Sequence, residues 1–178
     1  YVTIHFEKGI PTAVDGKEME SVAEYLGKSV LREVDEDEFM KNIADIRSSC
    51  GDRAVLRAMH FYGDNARVEK QAAALKAGDF ETFKKYIIES GRSSYMYNQN
   101  VYSCKKASEQ PVSLALSLSE KLLDGCGAWR VHGGGFAGTI QAFVPLNKLD
   151  EYKDLMEKVF GSGSCYILSV RPVGGVEL

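Results

Sequence analysis

At 178 residues, with 44% hydrophobic and 26% charged side chains, the chain has the make-up of an ordinary globular domain and enough length to bury a core. Its net charge of −3 leaves no basic stripe to neutralise phosphates, which argues against a nucleic-acid partner. No apolar run reaches membrane-spanning length and no secretory leader opens the chain, so the expectation is a cytoplasmic protein without a membrane partner.

Residues 1–6, "YVTIHF", are β-rich and read as a short strand that Gly9 and Pro11 end. From Gly16 to Gly125 the pattern is mostly helical. "GKEMESVAEYLG" sets Met19, Val22, Ala23 and Leu26 on one face, with Gly27 as the stop. "DEDEFMKNIADIRSSCG" opens on acids, which the helix dipole favours, and spaces Phe39, Ile43 and Ile46 as one apolar stripe. The acid run at residues 33–39 is most simply a solvated helix start.

Residues 52–78 predict a long helix with a possible interruption at Gly63. Asp79 is the expected N-cap of the next one, in which Phe80, Phe83 and Ile87 face inward. Joined at Gly78 and Asp79, the two make an antiparallel hairpin. Residues 92–110 have no clean period and read as loop with a broken helix; Tyr95, Tyr97 and Tyr102 within them are packing residues before they are cleft residues. Pro111 suits the first turn of a helix lined by Leu114, Leu118 and Leu122.

Beyond Gly125 the character changes. "AWRV" and "TIQAFV" are strand-like. Asn147 is placed to cap a helix carrying Leu149, Tyr152, Met156, Val159 and Phe160, and residues 164–170, "SCYILSV", read as a final strand. Helix, strand, strand, helix, strand needs one more strand, from residues 1–6 or from 96–103, to become a ferredoxin-like split βαβ sheet. The predicted class is therefore α+β, a ferredoxin-like split βαβ sheet with additional helical hairpins.

Four cysteines, Cys50, Cys104, Cys126 and Cys165, are widely spaced with no C-x-x-C pair, so free thiols in a reducing compartment are expected, and neither a metal site nor disulfides. His60 and Asp64 stand one helical turn apart. Such a lone pair is more often structural than catalytic.

The densest glycine cluster is "RVHGGGFAGTIQAF", residues 130–143, where Gly133, Gly135 and Gly138 spell G-x-G-x-x-G. A dinucleotide fingerprint needs a helix directly after the last glycine, but Gly138 runs into strand-like sequence. A Walker loop needs Lys where Thr139 stands. A protein-kinase glycine loop needs a whole catalytic lobe beyond it, and only 40 residues follow position 138. The plain alternative is a hairpin that merely turns the chain, yet four glycines (Gly133, Gly134, Gly135 and Gly138) exceed what a turn requires.

"GAWRVHGGGFAGTIQAFVP" resembles the third motif of the GHMP small-molecule kinases, in its galactokinase form G-A-R-M-T-G-G-G-F-G-G. The resemblance continues in "DRAVLRAMHFYGDNARVEKQAAALKAGDFETFKKYIIESGRSS", similar to a helical stretch of galactokinases, and in "YILSVRPVGGVEL", similar to their ends. It spans residues 19–178. His132 replaces the usual Thr and Ala137 a frequent Gly, which leaves the role of position 132 open.

The family's sugar signature and its main phosphate loop, Pro-x-x-x-Gly-Leu-x-Ser-Ser, belong to an N-terminal domain and do not occur in these residues. The resemblance thus implies one domain, residues 1–178, forming the C-terminal half of a galactokinase without its ATP- and sugar-binding half; a first residue of Tyr rather than Met agrees. It implies ATP and Mg²⁺ as cofactors of the complete enzyme and galactose as substrate, with no catalytic or metal-binding residue in this chain. The glycines Gly133, Gly134, Gly135 and Gly138 would lie against the phosphates. Arg130 would face phosphate or simply end its strand, His132 would support the loop, and Phe136 would anchor its packing. The other reading is a non-catalytic sugar- or nucleotide-sensing module derived from such a kinase. A domain parted from its neighbour exposes apolar surface, so a homodimer of the isolated chain is also expected.

Overall fold

The computed structural model describes residues 2–5, 16–135 and 138–170. The chain divides into two compact units: Thr12–Asn100, and Tyr1–Pro11 together with Val101–Leu178.

The first strand, β1 (Val2–His5), belongs to the second of these units. The helical unit begins with α1 (Lys17–Tyr25), whose Val22 and Ala23 are fully buried. The acid-rich stretch forms two helices rather than one, α2 (Glu36–Lys41) and α3 (Ile43–Cys50). The break falls at Asn42, with φ −101° and ψ 8°, whose side-chain amide donates to the Glu38 carbonyl at 2.8 Å. Asparagine offers the backbone a local partner and so competes with the helical ladder. Asp35 caps α2 by accepting from the Asp37 amide at 2.9 Å.

Helix α4 (Asp52–Lys76) runs through Gly63 without interruption. A Cβ at Gly63 would sit 3.2 Å from Arg67 Nη1, so the glycine leaves room for that guanidinium one turn on. Gly78 then turns the chain at φ +69°, Asp79 accepts from the Thr82 amide at 3.0 Å, and α5 (Phe80–Ser93) returns along α4. Phe83 and Ile87 are buried as expected; Phe80 is half exposed and stacks on Phe83 at 5.5 Å. A π-helical turn at Ser94–Asn98 and a 3₁₀ turn at Cys104–Lys106 make up the irregular segment.

The core of this unit collects Val22, Leu31, Val34, Phe39, Ile46, Val55, Ala58 and Tyr62. Phe39 and Tyr62 rings meet at 5.4 Å, and the Tyr62 hydroxyl donates to the Val34 carbonyl at 3.1 Å. Burial pushes the Tyr62 phenol up to about 12, because its anion has no water to solvate it.

The sheet unit continues with α6 (Pro111–Leu123), β2 (Ala128–Val131), β3 (Thr139–Phe143), α7 (Leu149–Phe160) and β4 (Cys165–Ile167). Strand order is β2-β3-β1-β4, with every adjacent pair antiparallel. Strands β3 and β4 are therefore parallel to each other, separated by β1 and joined by α7: the split βαβ arrangement. Of the two strand donors the sequence allows, it is the N-terminal one that fills the centre of the sheet. The helical unit is inserted between β1 and α6.

Two helical faces differ from expectation. On α6 the buried residues are Val112, Ala115, Ser119 and Leu123, while Leu114 is half exposed. The leucine stripe lies one residue off the face that the sheet covers. On α7 the buried residues are Tyr152 and Met156, and Val159 is exposed. Asn147 sits in a 3₁₀ turn, Leu146–Lys148, ahead of the helix rather than capping it. Ser119 Oγ donates to the Ala115 carbonyl at 2.8 Å, so its contact with the Tyr152 hydroxyl at 2.7 Å is donated by the tyrosine. Strand β4 is shorter than residues 164–170: it pairs with β1 in the register that sets Ile4 against Cys165 and Val2 against Ile167.

Candidate functional site

The glycine loop is the connection between β2 and β3, as the strand-like flanks predict. Alternation along the two strands buries Val131, Ile140 and Ala142 completely and leaves Arg130 and Gln141 partly exposed on the opposite face. Arg130 and Gln141 are direct cross-strand partners. The hairpin closes with the His132 amide donating to the Thr139 carbonyl at 3.0 Å.

Three of the loop glycines are left-handed: Gly133 at φ +64°, Gly135 at +74° and Gly138 at +80°. Side chains other than glycine adopt that region only with strain, which accounts for these positions. A Cβ on Gly133 would meet nothing within 4 Å, so there it is the backbone angle and not crowding that requires glycine. Gly133 and Gly134 are exposed, Gly135 is half-buried and Gly138 is buried. Phe136 lies outside the described residues, as does Ala137.

His132 is exposed, and its Nδ1 is 3.1 Å from Gln141 Oε1. Arg130 Nε donates to the carbonyl of Val131 at 3.0 Å, which lays the guanidinium along its own strand. The structure thus brings Arg130, His132 and the glycines to one end of one hairpin. Gln141 was not among the sequence candidates. Its only signal is position: it is a polar residue between the apolar Ile140 and Ala142, two places after Thr139.

His60 and Asp64 take part in a polar cluster inside the α4–α5 hairpin. His60 Nδ1 is 2.9 Å from Ser93 Oγ, and its Nε2 is 3.8 Å from Asp64 Oδ2. Asp64 Oδ1 accepts from Ser90 Oγ at 2.5 Å and from Arg67 Nε at 3.0 Å. Ser90 is fully buried. These contacts fasten one helix to the other, which is the structural role expected of the pair.

No disulfide joins any of the four cysteines; burial pushes the Cys165 thiol up to about 11, while Cys104 is exposed. Among the described residues no three His, Cys, Asp or Glu side chains converge on a common point, and no helix is long and apolar enough to cross a membrane.

Comparison with known proteins bears on the chain as a whole. No family model matches the chain. It is 31% identical over 162 residues to the galactokinase of Homo sapiens, an alignment covering 91% of this chain and 38% of that protein. The chain belongs to the galactokinase family. The galactokinase of Bos taurus is 30% identical over 85% of the chain and 36% of its own length. That of Haemophilus influenzae Rd is 26% identical over 79% of the chain and 34% of its own length. The chain thus spans little more than a third of the curated galactokinases it matches. In fold it matches the crystal structure of Lactococcus lactis galactokinase complexed with galactose, at a TM-score of 0.67 and 22% identity, over 93% of this chain and 43% of that one. Its α+β architecture is that of a galactokinase C-terminal domain.

Proposed function

We propose that the chain is the C-terminal domain of an ATP-dependent galactokinase and contributes the glycine hairpin to an active site completed by a nucleotide- and sugar-binding N-terminal domain. In the complete enzyme the C1 hydroxyl oxygen of galactose attacks the γ-phosphorus of ATP, the bond to the bridging oxygen breaks, and ADP leaves. In this reading the hydroxyl proton passes to a base of the other domain.

Such a transfer depends on positioning and on neutralising charge at the phosphate oxygens. The observation that carries the reading is the loop backbone: left-handed Gly133 and Gly135 bracket Gly134, with the first two of these glycines exposed. Turned backbone of this kind builds N–H concavities that bind anions. Gly133, Gly134, Gly135 and Gly138 would hold phosphate oxygens there, and Mg²⁺, when bound, would supply positive charge to the phosphates. Free thiols throughout suit a reducing cytoplasm.

The test is calorimetric titration of the purified chain with Mg-ATP and with galactose, repeated with a galactokinase N-terminal domain supplied in trans. The chain alone is expected to be silent, and the mixture to release ADP only when galactose is present. Turnover by the chain alone would refute the division of labour. Tight binding of a small ligand by the chain alone, indifferent to the added domain, would make the hairpin part of a sensor.

A further inference from the structure

Among the contacts around the glycine hairpin, one sets the chemistry of a titratable ring. Gln141 stands directly across from Arg130 on the partly exposed face of the sheet, and its Oε1 is 3.1 Å from His132 Nδ1. A carboxamide oxygen only accepts, so Nδ1 must carry the hydrogen. In the neutral imidazole the other nitrogen, Nε2, is then an acceptor with a lone pair. His132 is exposed and immediately precedes Gly133, so that lone pair is open to a ligand held at the loop.

We propose that Gln141 is a positioning residue: it holds His132 in the Nδ1–H tautomer so that Nε2 accepts a hydrogen bond from an O–H donor bound at the hairpin. This rests on the galactokinase reading above. The loop backbone offers N–H donors, which suit phosphate oxygens; a ring nitrogen beside them adds a side-chain acceptor for a hydroxyl. A kinase acting on a sugar must also handle O–H groups, whether on the sugar or on water held by the nucleotide's metal ion. Within the described hairpin, His132 Nε2 is the side-chain nitrogen that meets this need. Gln141 acts through His132 and need not touch substrate.

The experiment is long-range ¹H–¹⁵N NMR of the imidazoles in the ¹⁵N-labelled chain, for the wild type, Gln141→Leu and Gln141→Glu. The wild type is expected to show His132 as the Nδ1–H form. Gln141→Leu should move the ring toward the Nε2–H form that an unconstrained imidazole prefers, and Gln141→Glu, which keeps an accepting oxygen, should restore Nδ1–H. A wild-type ring already in the Nε2–H form, as a carboxamide turned the other way would produce, overturns the proposal. So does a tautomer that ignores Gln141→Leu.

The same spectra are then recorded with the N-terminal domain in trans, titrated with galactose in one arm and with Mg-ATP in the other. A shift of His132 Nε2 in the galactose arm identifies the sugar as donor; a shift in the Mg-ATP arm alone identifies nucleotide-bound water. Either shift is expected to need about five- to tenfold more ligand in Gln141→Leu, the worth of roughly one hydrogen bond. If the amides of Gly133 and Gly135 respond while Nε2 does not, the role of the ring is refuted and the loop reading stands. If neither responds, the loop reading itself fails.

Discussion

The helical unit and the sheet unit are held together by contacts of different reach. In the helical unit the contacts are shorter in reach: α4 turns at Gly78 and packs back as α5, and Phe39 meets Tyr62 across about two dozen residues. In the sheet unit the central strand, β1, finds its partners on β3 and β4, more than a hundred residues along the chain. Local pairing is legible as periodicity, whereas closing a loop of that size leaves no local signature. The glycine hairpin, β2–β3, is a local element mounted on a non-local sheet.

Four changes break or sharpen that contrast. The largest effect is expected from Phe39→Ala, which empties a site only 1% exposed at the centre of the helical core. It should cost about 3–5 kcal/mol, read as a fall in the urea midpoint followed by far-UV circular dichroism. The chain's one tryptophan, Trp129, lies in the sheet unit, so its fluorescence supplies a second probe. An equal shift by both probes would abolish the distinction between the units.

Gly127→Ala is the matching change on the sheet side. A Cβ there would lie 2.6 Å from the Phe143 carbonyl oxygen and 3.0 Å from Leu123 Cβ, a close approach of α6 to the hairpin. Overpacking of this sort costs about 1–3 kcal/mol, and the Trp129 transition should report it first. An unchanged midpoint would mean that the hairpin yields freely where α6 approaches it.

Two smaller effects are pH-dependent and confined to the helical unit. The Tyr62 phenol is raised from 10.0 to about 12, so the stability it lends is complete below pH 10 and is lost as pH rises toward 12. Urea midpoints should therefore fall more steeply over that window in the wild type than in Tyr62→Phe. Asp79, hydrogen bonded to Thr82, has its carboxyl held below the usual 3.8. Its contribution is present above pH 3.8 and lost as pH falls through the lowered value. Asp79→Ala should destabilise slightly at pH 7 and less at pH 3, measured by thermal unfolding.

Much of the fold was readable before any coordinates. The hairpin at Gly78–Asp79, the Asp79 cap and the strand–glycine–strand order at residues 128–143 follow from spacing, capping and turn chemistry that act within a few residues. Gly133 and Gly135 were recognisable because left-handed backbone leaves glycine almost alone as a choice. The errors have equally definite causes. The leucine stripe of α6 pointed one residue away from the buried face, because the sheet, and not the helix, selects which side is covered. Asn42 divided α2 from α3 because its side chain engages its own helix, a geometry that apolar spacing does not register.

What the sequence alone determined, then, is most of the elements and several of the turns that end them, since propensity and hydrogen bonding to near neighbours are encoded where they act. What only the tertiary structure decided is which strand completes the sheet and which side chain touches His132. Val2–His5 became the central strand, and Gln141 became the partner of the ring, through pairings across the sheet that alternation along a single strand cannot specify. A residue's place on a strand is local information; its neighbour across the sheet is set by register, and register exists only once the strands have met.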